Sequence, residues 1–217
     1  TYSRDGVPTL EQSKAYIAML AATAGLSADL PAAAIFDFSL SAALDATDAF
    51  NPSSTLIPIN RAGGVTRAVS APEPGNKMFG GQGAIVDLSG GVNSVFRARA
   101  VQSVAMGAEG IGYNGGTRLG NWAALRDALD QALVYAANPS AYVMRPRNDG
   151  LSIGDLKALG PVARGQEPLV VSVNSAADIR TLIKLKAAYA LNVIIVGGSE
   201  GHLVAREIAA ANIPVLI

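Results

Sequence analysis

The chain has 217 residues, no formal net charge, one histidine and no cysteine, and half of its residues are hydrophobic. High hydrophobicity with only 16% charged residues excludes intrinsic disorder, and the lack of cysteine excludes disulfides, thiolate zinc sites and a cysteine nucleophile. Because the chain has no basic run and no apolar run of about 20 residues, we predict a soluble globular protein without a nucleic-acid partner or a membrane span.

Residues 1–50 are the first of three regions within what we predict to be one incomplete domain over residues 1–217. This Ala-rich lead-in has a mostly helical pattern, with Thr9 placed to cap a helix and Gly25 placed to end it. Residues 35–50 fit either a strand followed by a helix or one broken helix.

Short strands and glycine-rich loops characterise the second region, residues 51–118. In chain order we predict a helix over residues 56–62, a strand over 65–71, a glycine-rich loop over 78–83 and a strand over 84–88. Residues 92–107 fit a strand followed by a helix, and residues 110–116 contain too much glycine for either element.

The third region, residues 119–217, alternates helices with strands. A helix beginning near Asn121 has apolar side chains at spacings of three and four residues, namely Trp122, Leu125, Leu129, Ala132 and Leu133. Two further helices are predicted to begin at the capping boxes Ser152-x-x-Asp155 and Ser175-x-x-Asp178.

The last fifty residues give the order strand, helix, strand, helix, strand. The predicted strands are 168–173, 192–196 and 215–217, and the helix between the last two covers 199–211. Continuous apolar strands that alternate with helices indicate a parallel sheet covered on both faces, which binds ligands at the carboxyl ends of its strands. Because the chain stops inside the last strand, we expect a piece of a longer protein, with a second copy or the rest of the domain as the partner of the open edge.

Polar residues follow two of these strands at their carboxyl ends. Asn174 and Ser175 follow the first strand, and Ser199, Glu200 and His202 follow the second. His202 is the chain's only imidazole for acid–base chemistry, although a histidine in the first turn of a helix is also typical of an exposed surface position. Glu200 is open to the same two interpretations, because the helix dipole alone favours a carboxylate there.

Residues 197–201 (GGSEG) lie between a strand and a helix, where free backbone N–H groups can bind a phosphate. The alternative is that the glycines make a tight turn and let the helix pack closely. With one histidine, the chain has no His-x-His and no His-Glu-x-x-His motif. The residues by themselves therefore specify no complete metal site and leave the reaction open.

Four segments in the same order resemble the amidohydrolase superfamily, and within it the imidazolonepropionase-like, often exported, group. They are residues 51–66 (NPSSTLIPINRAGGVT), 80–88 (GGQGAIVDL), 168–179 (PLVVSVNSAADI) and 196–205 (VGGSEGHLVA). The similarity covers roughly residues 39–217. It implies an α/β fold, a partial TIM-type (β/α)8 barrel in which parallel strands alternate with helices.

The resemblance also implies a function. Amidohydrolases hydrolyse the C–N bond of an amide or cyclic amide in a small-molecule substrate, with water activated by one or two divalent ions such as zinc. Their His-x-His ligands would precede Thr1 and their late aspartate would follow Ile217, so the metal site is expected to be incomplete here and the chain inactive by itself. The group implies a periplasmic or secreted protein, with the cytoplasm as the alternative.

The resemblance assigns roles to particular residues. The candidate catalytic residues are Glu200 and His202, and the candidate substrate-binding residues are Asn174, Ser175, Ser199 and Gln82. Asn174 stands where relatives often have histidine, and His202 comes one position later than the histidine of the usual Glu-His pair. Since an amide oxygen binds transition metals weakly, two alternatives stay open: a binding protein that has lost its metal ligands, and a phosphate- or nucleotide-binding α/β protein.

Overall fold

The described residues form a six-stranded sheet in which the strands pair in chain order. In this computed structural model the described residues are 42–74, 78–108, 110, 117–143 and 151–217, so the predictions for residues 1–41 and 111–116 lie outside them. The strands are β1 (Arg67–Ser70), β2 (Phe79–Asp87), β3 (Val95–Ala105), β4 (Leu169–Val173), β5 (Val193–Gly197) and β6 (Val215–Leu216). The α-helices are α1 (Leu56–Ala62), α2 (Arg118–Ala137), α3 (Pro139–Val143), α4 (Ile153–Ala163), α5 (Ala176–Tyr189) and α6 (Ala205–Ala210), and two 3-10 helices cover Ala46–Asp48 and Gly201–Val204.

Strands β3 to β6 run parallel and are called here the parallel part of the sheet. Val171 of β4 lies opposite Val104 of β3 on one side and Ile195 of β5 on the other. Helix α5 connects β4 to β5, and the second 3-10 helix with α6 connects β5 to β6. The predicted alternation of strands and helices over the last fifty residues is therefore confirmed.

The prediction of a wholly parallel sheet is wrong for the first three strands. Strands β1 and β2 pair antiparallel, as do β2 and β3, and these three strands are called here the antiparallel part. The connections between them cover only residues 71–78 and 88–94. Parallel neighbours need a crossover of about a dozen residues or more, so connections this short permit only antiparallel pairing.

Residues 78–83, predicted to be a loop, lie almost entirely in β2. The glycines serve close approach of backbones: a Cβ on Gly83 would lie 2.7 Å from Val101 Cγ2 and 3.0 Å from the carbonyl oxygen of Ser70. A Cβ on Gly80 would overlap the carbonyl oxygen of Pro72. A glycine-rich run is thus required here by the neighbouring chain segments rather than by a turn.

Strand β3 is a single strand where a strand and a helix were expected over residues 92–107. Its pairing with β2 shifts register between Gly83 and Ile85, whose partners are Val101 and Arg97. Arg99 lies in this bulge with a φ of 50°. The bulge accommodates two extra residues of β3 relative to β2, and beyond it the strand continues to Ala105.

The main hydrophobic core lies between the parallel part and helices α2, α4 and α5. Fully buried side chains of this large cluster include Leu125, Leu129, Leu156, Leu159, Leu169, Ile179, Leu182 and Ile195. Along β4, Leu169, Val171 and Val173 are buried, whereas Val170 and Ser172 are half-buried. Among the described residues, the two faces of β4 are therefore not equally covered, unlike the prediction.

The helix boundaries follow the predicted caps in two cases. Ser152 and Asp155 form the complete capping box of α4, and Ser175 accepts a hydrogen bond from the N–H of Asp178 at the start of α5. The helix predicted over residues 199–211 is instead a 3-10 turn followed by the short α6, because its first turns close with bonds to the third residue back, such as Leu203 N–H to the Glu200 carbonyl. Within the ranges given above, no helix has both the length and the apolar character to cross a bilayer.

Candidate functional site

A cavity of about 170 Å³ lies at the carboxyl ends of β3, β4 and β5. It is lined by Met106, Ala108, Asn174, Ser175, Asp178, Ser199 and Glu200. Four of the six residues predicted from the sequence, namely Asn174, Ser175, Ser199 and Glu200, therefore lie together. The cause is the parallel register, because neighbouring parallel strands end at the same edge of the sheet.

The turn after β5 brings the chain back across the end of β4. Gly197 and Gly198 have φ values of 87° and 68°, a conformation that strongly favours glycine. The N–H of Gly198 donates to the carbonyl oxygen of Val173 at 2.9 Å. This turn confirms the tight-turn interpretation of the two glycines.

Asn174 joins the loop after β4 to the loop after β5. Its Oδ1 accepts hydrogen bonds from Ser199 N–H at 3.2 Å and from Ser199 Oγ–H at 2.9 Å. Its backbone carbonyl accepts from the N–H of Glu200 at 3.0 Å. A Cβ on Gly197 would lie 2.7 Å from Asn174 Oδ1, so glycine is needed there for the amide to cross to Ser199.

Glu200 reaches in the opposite direction, from the loop after β5 to the start of α5. Its Oε2 accepts a hydrogen bond from the N–H of Ala176 at 2.8 Å. That N–H belongs to the first turn of a helix, where backbone donors lack partners within the helix and the dipole favours a negative charge. Glu200 is nevertheless exposed, so its carboxylate is accessible to water and substrate.

Asp178 is the buried charge of the site, and sequence reasoning identified it only as a cap. Its carboxylate accepts from Ser175 Oγ–H at 2.6 Å and Trp122 Nε1–H at 3.2 Å, and pairs with the Arg118 guanidinium at 2.7 Å. Burial acts to raise the pKa of Asp178, but the hydrogen bonds from Ser175, Arg118 and Trp122 outweigh it and hold the pKa below its usual value. Asp178 is therefore a charged wall of the cavity.

His202 does not line the cavity. It lies exposed in the second 3-10 helix, with Nδ1 3.2 Å from the carbonyl oxygen of Ser199. The run Gly197-Gly-Ser-Glu-Gly201 also matches the Gly-x-Ser-x-Gly pattern of a nucleophile elbow, but Ser199 has no positive φ and its Oγ donates to Asn174. Among the described residues, Ser199 therefore has no base placed to activate it.

Gln82 also lies away from the cavity. It is buried in β2 opposite Gln102, which pairs with Leu169 at the amino end of β4. Asn174 is five residues beyond Leu169, which is about 16 Å along a strand. The loop in which Gln82 was expected is a strand, so the residue lies at the opposite end of the sheet from the cavity.

The strand-end side chains do not fit a zinc site. Within the described ranges, no group of three or more His, Cys, Asp or Glu side chains is placed to hold a metal ion, whereas zinc takes three or four protein ligands. The Asn174 amide oxygen, Glu200 Oε2 and the Asp178 carboxylate all accept hydrogen bonds from neighbouring groups. These residues therefore supply no set of free metal donors.

The backbone N–H groups that a phosphate would need at the turn after β5 already donate to other acceptors. The backbone N–H groups of residues 198–201 donate in order to the Val173 carbonyl, Asn174 Oδ1, the Asn174 carbonyl and the Gly198 carbonyl. A phosphate at this turn would have to displace these bonds and lie beside the Glu200 carboxylate. The structure therefore argues against a phosphate cradle at this turn.

Comparison with known proteins supports the predicted fold. No family model and no curated protein matches the chain. The crystal structure of an amidohydrolase from Thermotoga maritima is similar, with a TM-score of 0.69 and 23% identity, covering 82% of this chain and 49% of that one. At this identity the likeness shows the fold, a partial α/β barrel with mixed strand directions, and this chain spans about half the length of that structure.

Proposed function

We propose that the chain is part of an amidohydrolase of the imidazolonepropionase-like group, which hydrolyses the C–N bond of an amide or cyclic amide in a small molecule. The observation that carries the proposal is the cavity at the carboxyl ends of three parallel strands, lined by Asn174, Ser175, Asp178, Ser199 and Glu200, where enzymes of barrel folds bind their substrates. The similar fold of the Thermotoga maritima amidohydrolase supports it. Because the chain spans about half of that structure, the proposed activity is that of the whole protein.

The described residues form one wall of the proposed substrate site. A volume of about 170 Å³ is below the roughly 300–1,000 Å³ of a complete ligand site, so this wall contacts only part of a substrate. Of the charged lining residues, Asp178 is paired with Arg118, whereas Glu200 is exposed, so the Glu200 carboxylate favours the N–H groups of an amide over an anionic group. We expect export to the periplasm or secretion, and this part of the proposal rests on the sequence resemblance.

Glu200 is the proposed general base. Its carboxylate takes a proton from water as the water oxygen attacks the carbonyl carbon, and the proton then passes to the leaving nitrogen as the C–N bond breaks. Zinc dependence, implied by the resemblance, would need ligands outside the described residues.

Replacing Glu200 in the protein from the complete reading frame tests this role. We expect Glu200→Gln to lower kcat at least about 100-fold, measured as acid release from a panel of amides and cyclic amides. Glu207→Gln is the matched control, because Glu207 is a half-exposed carboxylate on α6, paired with Arg180 outside the cavity. Equal activity of Glu200→Gln and the wild type would reject the role of Glu200, and no turnover of any panel member would reject the hydrolase.

A second candidate is a binding protein that keeps the fold without the reaction. The observation favouring it is that Asn174, Ser199 and Glu200 bond to one another and to the backbone rather than standing free. It predicts that a cyclic amide raises the melting temperature of the protein while no acid is released. Turnover that depends on Glu200 would contradict this candidate.

A further inference from the structure

We infer that Asn174 is a positioning residue for Glu200, and that the hydrogen bonds joining residues 174, 176, 199 and 200 form a latch that takes the place of metal ligation at the ends of β4 and β5. The inference rests on the proposed function only in taking Glu200 as the reacting group. It revises the sequence-based expectation that Asn174 binds the substrate.

The latch consists of bonds that run in both directions between two loops. Asn174 holds Ser199 through its side chain and Glu200 through its backbone carbonyl. Glu200 returns to the N–H of Ala176. These contacts join residues 24 to 26 positions apart in the chain, so the backbone of Glu200 is fixed to the loop after β4 and its carboxylate to the first residue of α5. A carboxylate held at both its backbone and its side chain loses little rotamer freedom when it reacts.

The local sequence is built for these bonds. Gly197 has a positive φ and leaves the space through which the Asn174 amide reaches Ser199. A side chain there would place a Cβ 2.7 Å from Asn174 Oδ1. The strand ends therefore need glycine, asparagine and serine together for the latch to close.

The latch and metal ligation compete for the same atoms. A carbonyl oxygen has two lone pairs, and Asn174 Oδ1 already accepts two hydrogen bonds from Ser199. Glu200 Oε2 accepts from the N–H of Ala176, and His202 faces the Ser199 carbonyl. A metal ion bound by Asn174 Oδ1 would have to break at least one of its two bonds to Ser199, so the latch and metal ligation make opposite predictions for Asn174.

Variants at Asn174 distinguish the latch from metal ligation by this residue. In Asn174→Ala we expect amide hydrogen exchange at Ser199 to become about tenfold faster, as for the loss of one hydrogen bond. Glu200 N–H should change less, because it donates to the backbone carbonyl that the variant keeps. We expect kcat to fall about 10- to 100-fold with KM within about twofold, because the loss is one of positioning. Zinc titration monitored by calorimetry should give the same stoichiometry and affinity as the wild type.

Asn174→Asp is the rescue variant. Aspartate keeps the accepting oxygen, so we expect slow exchange at Ser199 to return while zinc affinity stays unchanged. Carboxylate is a better zinc ligand than amide, so a metal site at this position would instead show tighter zinc binding in Asn174→Asp and weaker binding in Asn174→Ala. Asn192→Ala is the matched control, because Asn192 is an exposed asparagine at the amino end of β5.

The outcomes separate the latch from the proposed hydrolysis. Unchanged exchange at Ser199 in Asn174→Ala, or zinc affinity that follows the residue at position 174, would overturn the latch. A rise in KM without a fall in kcat would instead indicate that Asn174 binds the substrate. A protein with faster exchange, unchanged zinc binding and no turnover of any amide would support the latch and reject the hydrolase.

Discussion

The antiparallel and parallel parts of the sheet are stabilised very differently, although they share β3. The small cluster of the antiparallel part contains four buried side chains, those of Ile57, Ala84, Val86 and Leu88. The large cluster extends from the parallel part over helices α2, α4 and α5 and contains most of the buried residues described. The strand-end cavity lies on the parallel part alone, so the better-packed region is the one that positions the candidate site.

Exposed apolar surface completes the contrast. A groove of about 620 Å³ between α1 and strands β1 and β2 is mostly apolar, and Leu56, Ile59 and Val69 are more than half exposed. Regions with few buried contacts open at lower free energy than the core around them. Three helices, α2, α4 and α5, pack behind the strands that carry the cavity, whereas among the described residues only the short α1 packs against the antiparallel part.

Leucine truncation in the two clusters gives the largest expected difference. Leu159 of α4 is fully buried in the large cluster, so Leu159→Ala should lower the free energy of unfolding by about 2–5 kcal/mol. Leu88→Ala in the small cluster should cost less, about 1–2 kcal/mol, because fewer neighbours surround it and the groove lets them relax. Urea denaturation of both variants measures the two values, and equal costs would show that the two clusters are equally well packed around these leucines.

The border between the two parts carries a pH-dependent group. Glu167 precedes Pro168, and the Pro168 carbonyl accepts a hydrogen bond from the N–H of Gln102 in β3. The Oε1 atom of Glu167 is buried without a hydrogen-bond partner. Burial raises the pKa of Glu167 to about 7, against the attraction of Arg97 and Arg99. Because the folded pKa lies above the unfolded value, the stability linked to this group is complete below about pH 4.5 and is lost as the pH rises through about 7.

Glu167→Gln should remove this dependence. A difference of that size between the folded and unfolded pKa corresponds to about 3 kcal/mol, so the variant should gain on the wild type by up to that amount between about pH 4.5 and 8. Urea denaturation at both pH values measures the change. Leu159→Ala is the control, since its cost should not vary with pH, and parallel pH profiles of Glu167→Gln and the wild type would count against the buried carboxylate.

The parallel part could be predicted from the sequence because its signals are local. Apolar β-branched runs gave β4 and β5, and Ser152 and Ser175 marked the starts of two helices. In the antiparallel part the decisive facts are tertiary. Gly80 and Gly83 are needed because β2 passes close to neighbouring segments, and spacing along the chain does not reveal such approaches.

The candidate site, like the sheet, could be predicted from the sequence only in part. Asn174, Ser175, Ser199 and Glu200 could be placed together because parallel strands end at one edge. Asp178 follows three residues after Ser175 and could have been found by the same rule, but its partners Arg118 and Trp122 lie 60 and 56 residues away and carry no signal of that contact. Gln82 was misplaced because its segment was assigned to a loop.

The smallest expected effects come from two surface ion pairs. The pair beside the smaller hydrophobic cluster is expected to have the larger coupling energy. In the parallel part, Arg180 pairs with Glu207 with both side chains about half exposed, so a double-mutant cycle should give about 0.2–0.5 kcal/mol. Asp45 pairs with Arg99 of β3; its side chain is 9% exposed and also bonds to Thr47, which should bring this coupling to about 1 kcal/mol.

The pH dependence of these pairs sharpens the contrast. Burial alone would raise the pKa of Asp45, but the hydrogen bonds from Arg99 and Thr47 lower it below its usual value. Its contribution to stability is therefore present above about pH 4 and is lost as the pH falls through the lowered folded pKa. The cycles are measured by urea denaturation at low and high salt, where the exposed Arg180–Glu207 pair should be screened more strongly. A larger coupling in Arg180–Glu207 than in Arg99–Asp45 would show that the burial of Asp45 does not strengthen its pair with the exposed Arg99.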